Sequence, residues 1–127
     1  MLTMTKAPKI ADVLGNPFIR LLVDLELERD DFVIFGSAPL LAHGLRQRVS
    51  DLDVVARDAA WRRASQLGVP AVGTISGSPA SHLGHGRIQI FSEWISKAWS
   101  TDELIVCAEI IQGLRYALTE LLGSGDQ

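Results

Sequence analysis

The chain has 127 residues, of which 47% are hydrophobic and 21% are charged. This length and composition predict one globular domain over residues 1–127, with 1–8 and 123–127 frayed, and exclude a disordered chain or a pair of domains. The formal net charge of −3 gives no overall basic field, so nucleic acid is not indicated as a partner.

The single cysteine excludes an internal disulfide framework, and the N-terminus lacks the long apolar region of a secretory signal. No stretch approaches 18 uninterrupted apolar residues, so no membrane span is predicted. These features favour a cytoplasmic protein. Cys107 has mostly apolar neighbours, which predicts a thiol packed in the core.

The first half of the chain predicts four helices and two strands. In chain order they are helix 10–14, helix 17–27, strand 32–35, helix 38–43, strand 52–56 and helix 59–67. The first two helices share one apolar pattern that Asn16-Pro17 divides, because proline is tolerated in a first helical turn but not in a helix interior. Asp58 is the expected N-cap of the last helix, and Leu67 is expected to face the sheet. Both strands are short apolar runs of the kind that a sheet buries.

The second half predicts strands at 69–75 and 87–92, separated by a loop over 76–86. The small polar residues of this loop could line a nucleotide pocket, although ordinary turns have the same composition. His82 and His85 are three residues apart, but no further His or Cys cluster supports a zinc site.

The C-terminal part predicts a helix that begins with a capping box. Ser100 is its N-cap and Glu103 lies three residues later, with the helix running to about residue 111 or 112. This helix is apolar nearly all round, so we expect it to be buried or covered by a second subunit or a partner chain. A short extended piece at 114–117 and a last helical turn at 118–122 complete the prediction.

Two acids stand at the start of strand 52–56. Asp51 and Asp53 are separated by one residue, and such residues of a strand point to the same face with Cα atoms about 6–7 Å apart. Two carboxylates at that distance can share divalent cations. Upstream, Gly36 permits close approach of the backbone, and Ser37 begins a helix whose free N–H groups attract phosphate. Nucleotidyl transfer requires a phosphate cradle beside paired carboxylates.

This pattern resembles the nucleotidyltransferase superfamily related to DNA polymerase β, whose motif is Gly-Ser or Gly-Gly, a short helix, and then Asp-x-Asp or Asp-x-Glu. The sequence is most similar to the small bacterial, minimal nucleotidyltransferases. The matching positions are Gly36, Ser37, Arg48, Ser50, Asp51, Leu52 and Asp53. The strong likeness covers residues 32–56, and a weaker one continues through 87–92 and the C-terminal helix.

The resemblance implies an α/β (α+β) fold, with a mixed β-sheet of about 4–5 strands flanked by helices. It implies that the catalytic residues Asp51 and Asp53 hold Mg²⁺, and that Gly36 and Ser37 seat the β- and γ-phosphates of an NTP. Arg48 would pair with phosphate. The implied activity is transfer of a nucleoside monophosphate from the NTP to an acceptor hydroxyl.

The sequence departs from the family pattern at the third carboxylate, which active members place on a later strand. The aligned residue is Gln89, whose neutral amide is no general base near pH 7 and neutralises none of a metal's charge. Glu93 lies four residues farther along, about 13 Å of strand. Longer relatives also continue beyond the point equivalent to Leu122 into a helical substrate-binding part, so the acceptor site would be absent or supplied by another chain.

Three interpretations therefore stay open. The chain is a nucleotidyltransferase, or a catalytically degenerate relative that binds a nucleotide or a partner protein as one half of a toxin–antitoxin-like pair. The third interpretation is a structural domain whose acids only cap turns. Gln89 favours the second interpretation, while Gly36-Ser37 and the two acids favour the first.

Overall fold

The structure is a computed structural model that describes residues 15–36, 38–43, 51–72, 79–93 and 99–118. Within these ranges the chain forms four helices and seven strands. The helices are α1 (Pro17–Asp24), α2 (Ala38–Ala42), α3 (Asp58–Leu67) and α4 (Thr101–Val106). The strands are β1 (Phe32–Phe35), β2 (Leu52–Ala56), β3 (Val69–Val72), β4 (Pro79–Leu83), β5 (Ile88–Phe91), β6 (Glu109–Ile111) and β7 (Leu114–Tyr116).

All seven strands belong to one mixed sheet in the order β3-β4-β5-β2-β1-β7-β6. The pairs β2–β5 and β1–β7 are parallel, and the other neighbours are antiparallel. The predicted mixed α+β architecture is confirmed, with seven strands where the sequence indicated four or five. The two additional strands are β4 and β6.

One face of the sheet carries the larger core. Alternate residues of the central strands, such as Ile34, Val54 and Ile90, are fully buried there against α1, α2 and α3. Helix α1 begins at Pro17, as predicted, because the side chain of Asn16 accepts hydrogen bonds from the amides of Phe18 (2.9 Å) and Ile19 (3.2 Å). The predicted helix at 10–14 lies outside the described residues.

The opposite face carries a smaller apolar cluster under α4. Val33, Phe35 and Val55 are buried there with Leu104 and Ile105 of the helix. The predicted capping box is confirmed, since Ser100 Oγ accepts from the amide of Glu103 at 3.1 Å and the amide of Ser100 donates to Glu103 Oε1 at 2.8 Å.

The predicted extent of this last helix was wrong, because α4 ends at Val106 and residues 109–111 form β6. Gln112 and Gly113 have φ angles of 52° and 83°, which is the type I′ turn that joins β6 to β7 as a hairpin. Without the longer helix, Val106 is 79% exposed and Cys107 is also exposed, so the expectation of a buried thiol was wrong as well.

The predicted loop at 76–86 was wrong over residues 79–83, which form β4. Proline, serine and alanine have low intrinsic β-propensity, but antiparallel pairing with both β3 and β5 outweighs it. The strand is also held by Ser81, a buried residue whose Oγ donates to the carbonyl of Ala64 in α3 at 2.7 Å.

Two details of α3 also differ from the prediction. Arg57 is its N-cap and Asp58 its first residue, and Leu67 is 48% exposed while Ala60 and Ala64 face the core. Strand β3 lies at a sheet edge, as Pro70 predicted. Among the described residues, no helix is both long and apolar enough to cross a membrane.

Candidate functional site

The candidate site lies on the α4 face of the sheet, where three polar side chains continue a row begun by Phe35. Phe35 is paired with Asp53 on β2, Asp53 with Gln89 on β5, and Gln89 with His82 on β4. Directly paired residues of neighbouring strands project from the same face of a sheet. Phe35 is buried in the cluster under α4, whereas the three polar residues are half-buried. We call these three residues the polar row.

Gly36, which directly follows β1, lies against the carboxylate of Asp53. Its φ of +73° is in the region that favours glycine. A Cβ at this position would lie 3.1 Å from Asp53 Oδ2 and 3.7 Å from Asp53 Cγ. The first of these distances is shorter than an ordinary van der Waals contact. The structure thus brings together the glycine and the second acid that the sequence motif singled out.

Asp51 is exposed and precedes β2 by one residue. The next amide, that of Leu52, donates to the carbonyl of Arg87 at 2.7 Å, at the point where β2 and β5 begin to run side by side. Burial raises the pKa of the Asp53 carboxyl, and the charge of Asp51 raises that pKa further. The two acids are therefore close enough to repel one another.

No hydrogen bond or ion pair joins either acid to another residue that the structure describes. The arrangement is unfavourable without a bound cation, because the half-buried charge of Asp53 is poorly solvated and the charge of Asp51 repels it. Three other predicted positions, Ser37, Arg48 and Ser50, lie outside the described residues.

The two acids of this site donate carboxylate oxygens, the ligand type that Mg²⁺ prefers. Within the described ranges there is no group of three or more His, Cys, Asp or Glu residues that could hold a metal ion. Two carboxylates supply part of an octahedral shell, so phosphate oxygens and water would have to complete it. Asp51 and Asp53 are the residues that would hold the ion.

The sequence interpretation missed His82 as a member of this site, because it assigned that residue to a loop. The structure places His82 on β4 directly opposite Gln89, and it places His85 in the following turn with a φ of 60°. The available signal was a two-residue alternation typical of a strand. Ser81 and Leu83 face the larger core, and Ala80 and His82 alternate with them. The serines and prolines around it concealed this period.

Asp53→Asn is expected to stabilise the protein in the absence of divalent cations. Removing an unfavourable charge typically adds about 0.5–2 kcal/mol to the free energy of unfolding, a rise of about 2–8 °C in Tm. Since the folded state raises the pKa of Asp53, the wild-type charge destabilises it at neutral pH, and the gain should disappear as pH falls below about 3.9, the ordinary value for Asp.

Thermal unfolding at pH 7 and pH 3, in the presence of a chelator, measures this difference. Asp51→Asn is the matched control, because Asp51 is exposed and its replacement removes only the repulsion. A lower Tm for Asp53→Asn at pH 7 would show that the carboxylate has a stabilising partner.

No protein-family model matches the chain, and neither the curated proteins nor the solved structures give a match. The arguments for function therefore depend on the residues of the site and on their arrangement in the sheet.

Proposed function

We propose that this chain binds a nucleoside triphosphate with Mg²⁺ and transfers a nucleoside monophosphate to an acceptor hydroxyl, as a nucleotidyltransferase-like domain. The observation that carries the proposal is the Asp53 carboxylate, half-buried at the glycine turn after β1 with its pKa raised by burial and by Asp51. A divalent cation bound between the two acids would relieve both effects, because it replaces the lost hydration and offsets the repulsion.

A purely structural role for the acids is less well supported. An aspartate that caps a turn accepts hydrogen bonds from nearby backbone amides. Neither Asp51 nor Asp53 accepts such a bond from a residue that the structure describes. Asp53 lies on β2, which is hydrogen-bonded to β5 on one side and to β1 on the other in the centre of the sheet, and such a rigid position suits a site that must hold a ligand in a fixed geometry.

In the proposed reaction Asp51 and Asp53 hold the cation, and Gly36 leaves space for phosphate beside Asp53. The bound Mg²⁺ would supply neutralisation of the phosphate charge and an anchor for its oxygens. The acceptor oxygen forms a bond to the α-phosphorus, and the bond from that phosphorus to the bridging oxygen breaks. Pyrophosphate leaves with the bonding electrons, and the hydroxyl proton must pass to a base.

Gln89 supports a second candidate function, a catalytically degenerate module that binds a nucleotide or a partner protein in a toxin–antitoxin-like pair. Gln89 is the direct neighbour of Asp53 on β5, so an amide occupies the place where a third carboxylate would complete the site. Binding of Mg²⁺ and NTP requires only the acids and the phosphate groups. Catalysis also requires a proton acceptor, which an amide does not provide.

Titration calorimetry with ATP and GTP, each with and without Mg²⁺, tests the proposal. We expect Mg²⁺-dependent binding of at least one nucleotide, with stoichiometry of one per chain. Incubation of the binding nucleotide, labelled on its α-phosphate, with candidate hydroxyl acceptors then separates the enzyme from the binding module. Absence of Mg²⁺-dependent binding to either nucleotide would reject nucleotidyl transfer and the nucleotide-binding form of the second function.

Gln89→Glu is expected to strengthen Mg²⁺ binding and to lower the stability of the protein in the absence of Mg²⁺. The new carboxylate would lie beside Asp53 on the same face, adding a third negative charge that only a cation offsets. We expect roughly a tenfold or greater gain in Mg²⁺ affinity, comparable with other changes around metal ligands, and a lower Tm in the presence of a chelator. Gln66→Glu is the matched control, because it makes the same change at an exposed position of α3, on the other face of the sheet. Equal Mg²⁺ affinities for Gln89→Glu and wild type would contradict the site.

A further inference from the structure

The polar row places a histidine at a defined position relative to the two acids. Asp53, Gln89 and His82 occupy directly paired positions on β2, β5 and β4, and their side chains project from one face. Each is half-buried and therefore partly exposed to solvent. Beyond the polar row, at the sheet edge, His82 is paired with Val69 of β3, which is 68% exposed.

Asp53 and His82 flank Gln89 on one face of the sheet. Neighbouring strands are about 4.8 Å apart, so two strand spacings separate the Cα atoms of Asp53 and His82 by roughly 9–10 Å. Asp53 would help to hold the cation, which would supply neutralisation of the phosphate charge. An acceptor hydroxyl bound above Gln89 would then lie between this acid and the imidazole, about one strand spacing from each.

The backbone that carries His82 is held firmly. Strand β4 pairs on both sides, and the adjacent Ser81 donates to the carbonyl of Ala64 at 2.7 Å. The imidazole makes no hydrogen bond or ion pair with any other residue within the described ranges. A fixed backbone, and a ring that no described residue engages, suit a side chain that accepts a proton from a bound molecule.

The other candidates for a proton acceptor are less well placed. Gln89 is an amide, and Glu93 lies beyond the end of β5. His85 belongs to the exposed turn between β4 and β5. His43 is on the opposite side of β1, where its Nε2 lies 2.7 Å from Glu109 Oε1.

We propose that His82 is the general base that accepts the proton of the acceptor hydroxyl, the role that a third carboxylate would otherwise have. This inference rests on the proposed function. As the acceptor oxygen bonds to the α-phosphorus, its proton moves to an imidazole nitrogen of His82, and pyrophosphate departs with the electrons of the broken phosphorus–oxygen bond. The imidazolium then returns the proton to water. Imidazole suits this role because its ordinary pKa lies near physiological pH.

The first test measures whether His82 faces the bound nucleotide. The probe is Mg²⁺ with α,β-methylene ATP, which cannot be cleaved at the α-phosphorus, and the readout is the ring resonances of the three histidines at constant pH. His82→Gln and His85→Asn assign the resonances. We expect the His82 signal to shift on saturation while that of His85 stays in place. Saturation shown by calorimetry without a shift at His82 would overturn this inference alone.

The second test measures the chemical step through pyrophosphate release from Mg·ATP, with glycerol as a model hydroxyl acceptor. His82→Gln is expected to reduce the rate about 10²–10⁴-fold, the usual contribution of a general base, with nucleotide affinity unchanged. His85→Asn should retain the wild-type rate. Adding Gln89→Glu to His82→Gln should restore part of the rate, because it supplies a proton acceptor one strand away, and a merely structural role for His82 would show no such rescue.

The outcomes separate the two proposals. Either of two results for His82→Gln would overturn the general-base role. One is a rate of pyrophosphate release equal to that of the wild type. The other is a loss of rate accompanied by a loss of nucleotide affinity. Nucleotide binding by the wild type without any release of pyrophosphate would also overturn it and would support the binding module. Absence of Mg²⁺-dependent binding would reject the proposed function itself.

Discussion

Replacing both Asp51 and Asp53 by asparagine is expected to weaken binding of the Mg²⁺–nucleotide complex by at least about 100-fold. The effect of removing both ligands should exceed the 10–100-fold typical of changes to residues behind the ligands. The double variant keeps the size and polarity of both side chains while removing both charges. The cation would then be held by nucleotide phosphates and water alone, with nothing to fix it beside Gly36.

Asp24→Asn with Glu26→Gln is the matched control for this experiment. These acids have the same separation in sequence, are exposed near the end of α1, and give the same change in net charge. Calorimetry with Mg·ATP and Mg·GTP should show unchanged affinity for the control pair. A Tm of the double variant at or above that of the wild type would show that its loss of binding is not caused by unfolding. Undiminished binding in that variant would reject the metal site.

Gly36→Ala is expected to destabilise the fold by about 1–3 kcal/mol and to weaken nucleotide binding. The new Cβ would have an unfavourable φ of +73° and would press on Asp53 Oδ2 from 3.1 Å. The side chain of Asp53 would then have to move, and this would alter the space proposed for phosphate. Urea denaturation in the presence of a chelator measures the stability change, and calorimetry measures the affinity.

Gly86→Ala separates the two causes of this loss. Gly86 has a similar φ of +85°, but nothing lies within 4 Å of the position of its Cβ. Its replacement should therefore report backbone strain alone, of about 1 kcal/mol. Combining Gly36→Ala with Asp53→Ala should recover part of the loss, because the crowded carboxylate is gone. Equal destabilisation at Gly36 and Gly86, with no such recovery, would show that the contact with Asp53 has no energetic consequence.

The sequence predicted the centre of the sheet well. Strands β1 and β2 are short, almost wholly apolar and bounded by turn residues, so local pattern and burial agree. The capping box of α4 was equally clear, because both of its hydrogen bonds are made within four residues. The meeting of Gly36 with Asp53 followed from two adjacent antiparallel strands, because β1 ends next to the point where β2 begins.

The edges of the sheet were not predictable in the same way. Strand β4 is built from residues of low β-propensity and exists because two partners supply hydrogen bonds. Strand β6 follows an apolar helix without a break in composition, and only the turn at Gln112-Gly113 separates it from β7. His82 was missed for the first of these reasons, since its place in the polar row is set by the register of β4 against β5.

The parallel pairing of β2 with β5 has a consequence for how the site is assembled. The chain leaves β2, forms α3, β3 and β4, and only then returns beside Asp53, so this pairing requires closure of a long loop. The antiparallel pair of β1 and β2 closes a much shorter loop and can form first. During synthesis, then, the pair of strands that carries the two acids would form before Gln89 and His82 reach their places. The complete site exists only after β5 has paired with β2.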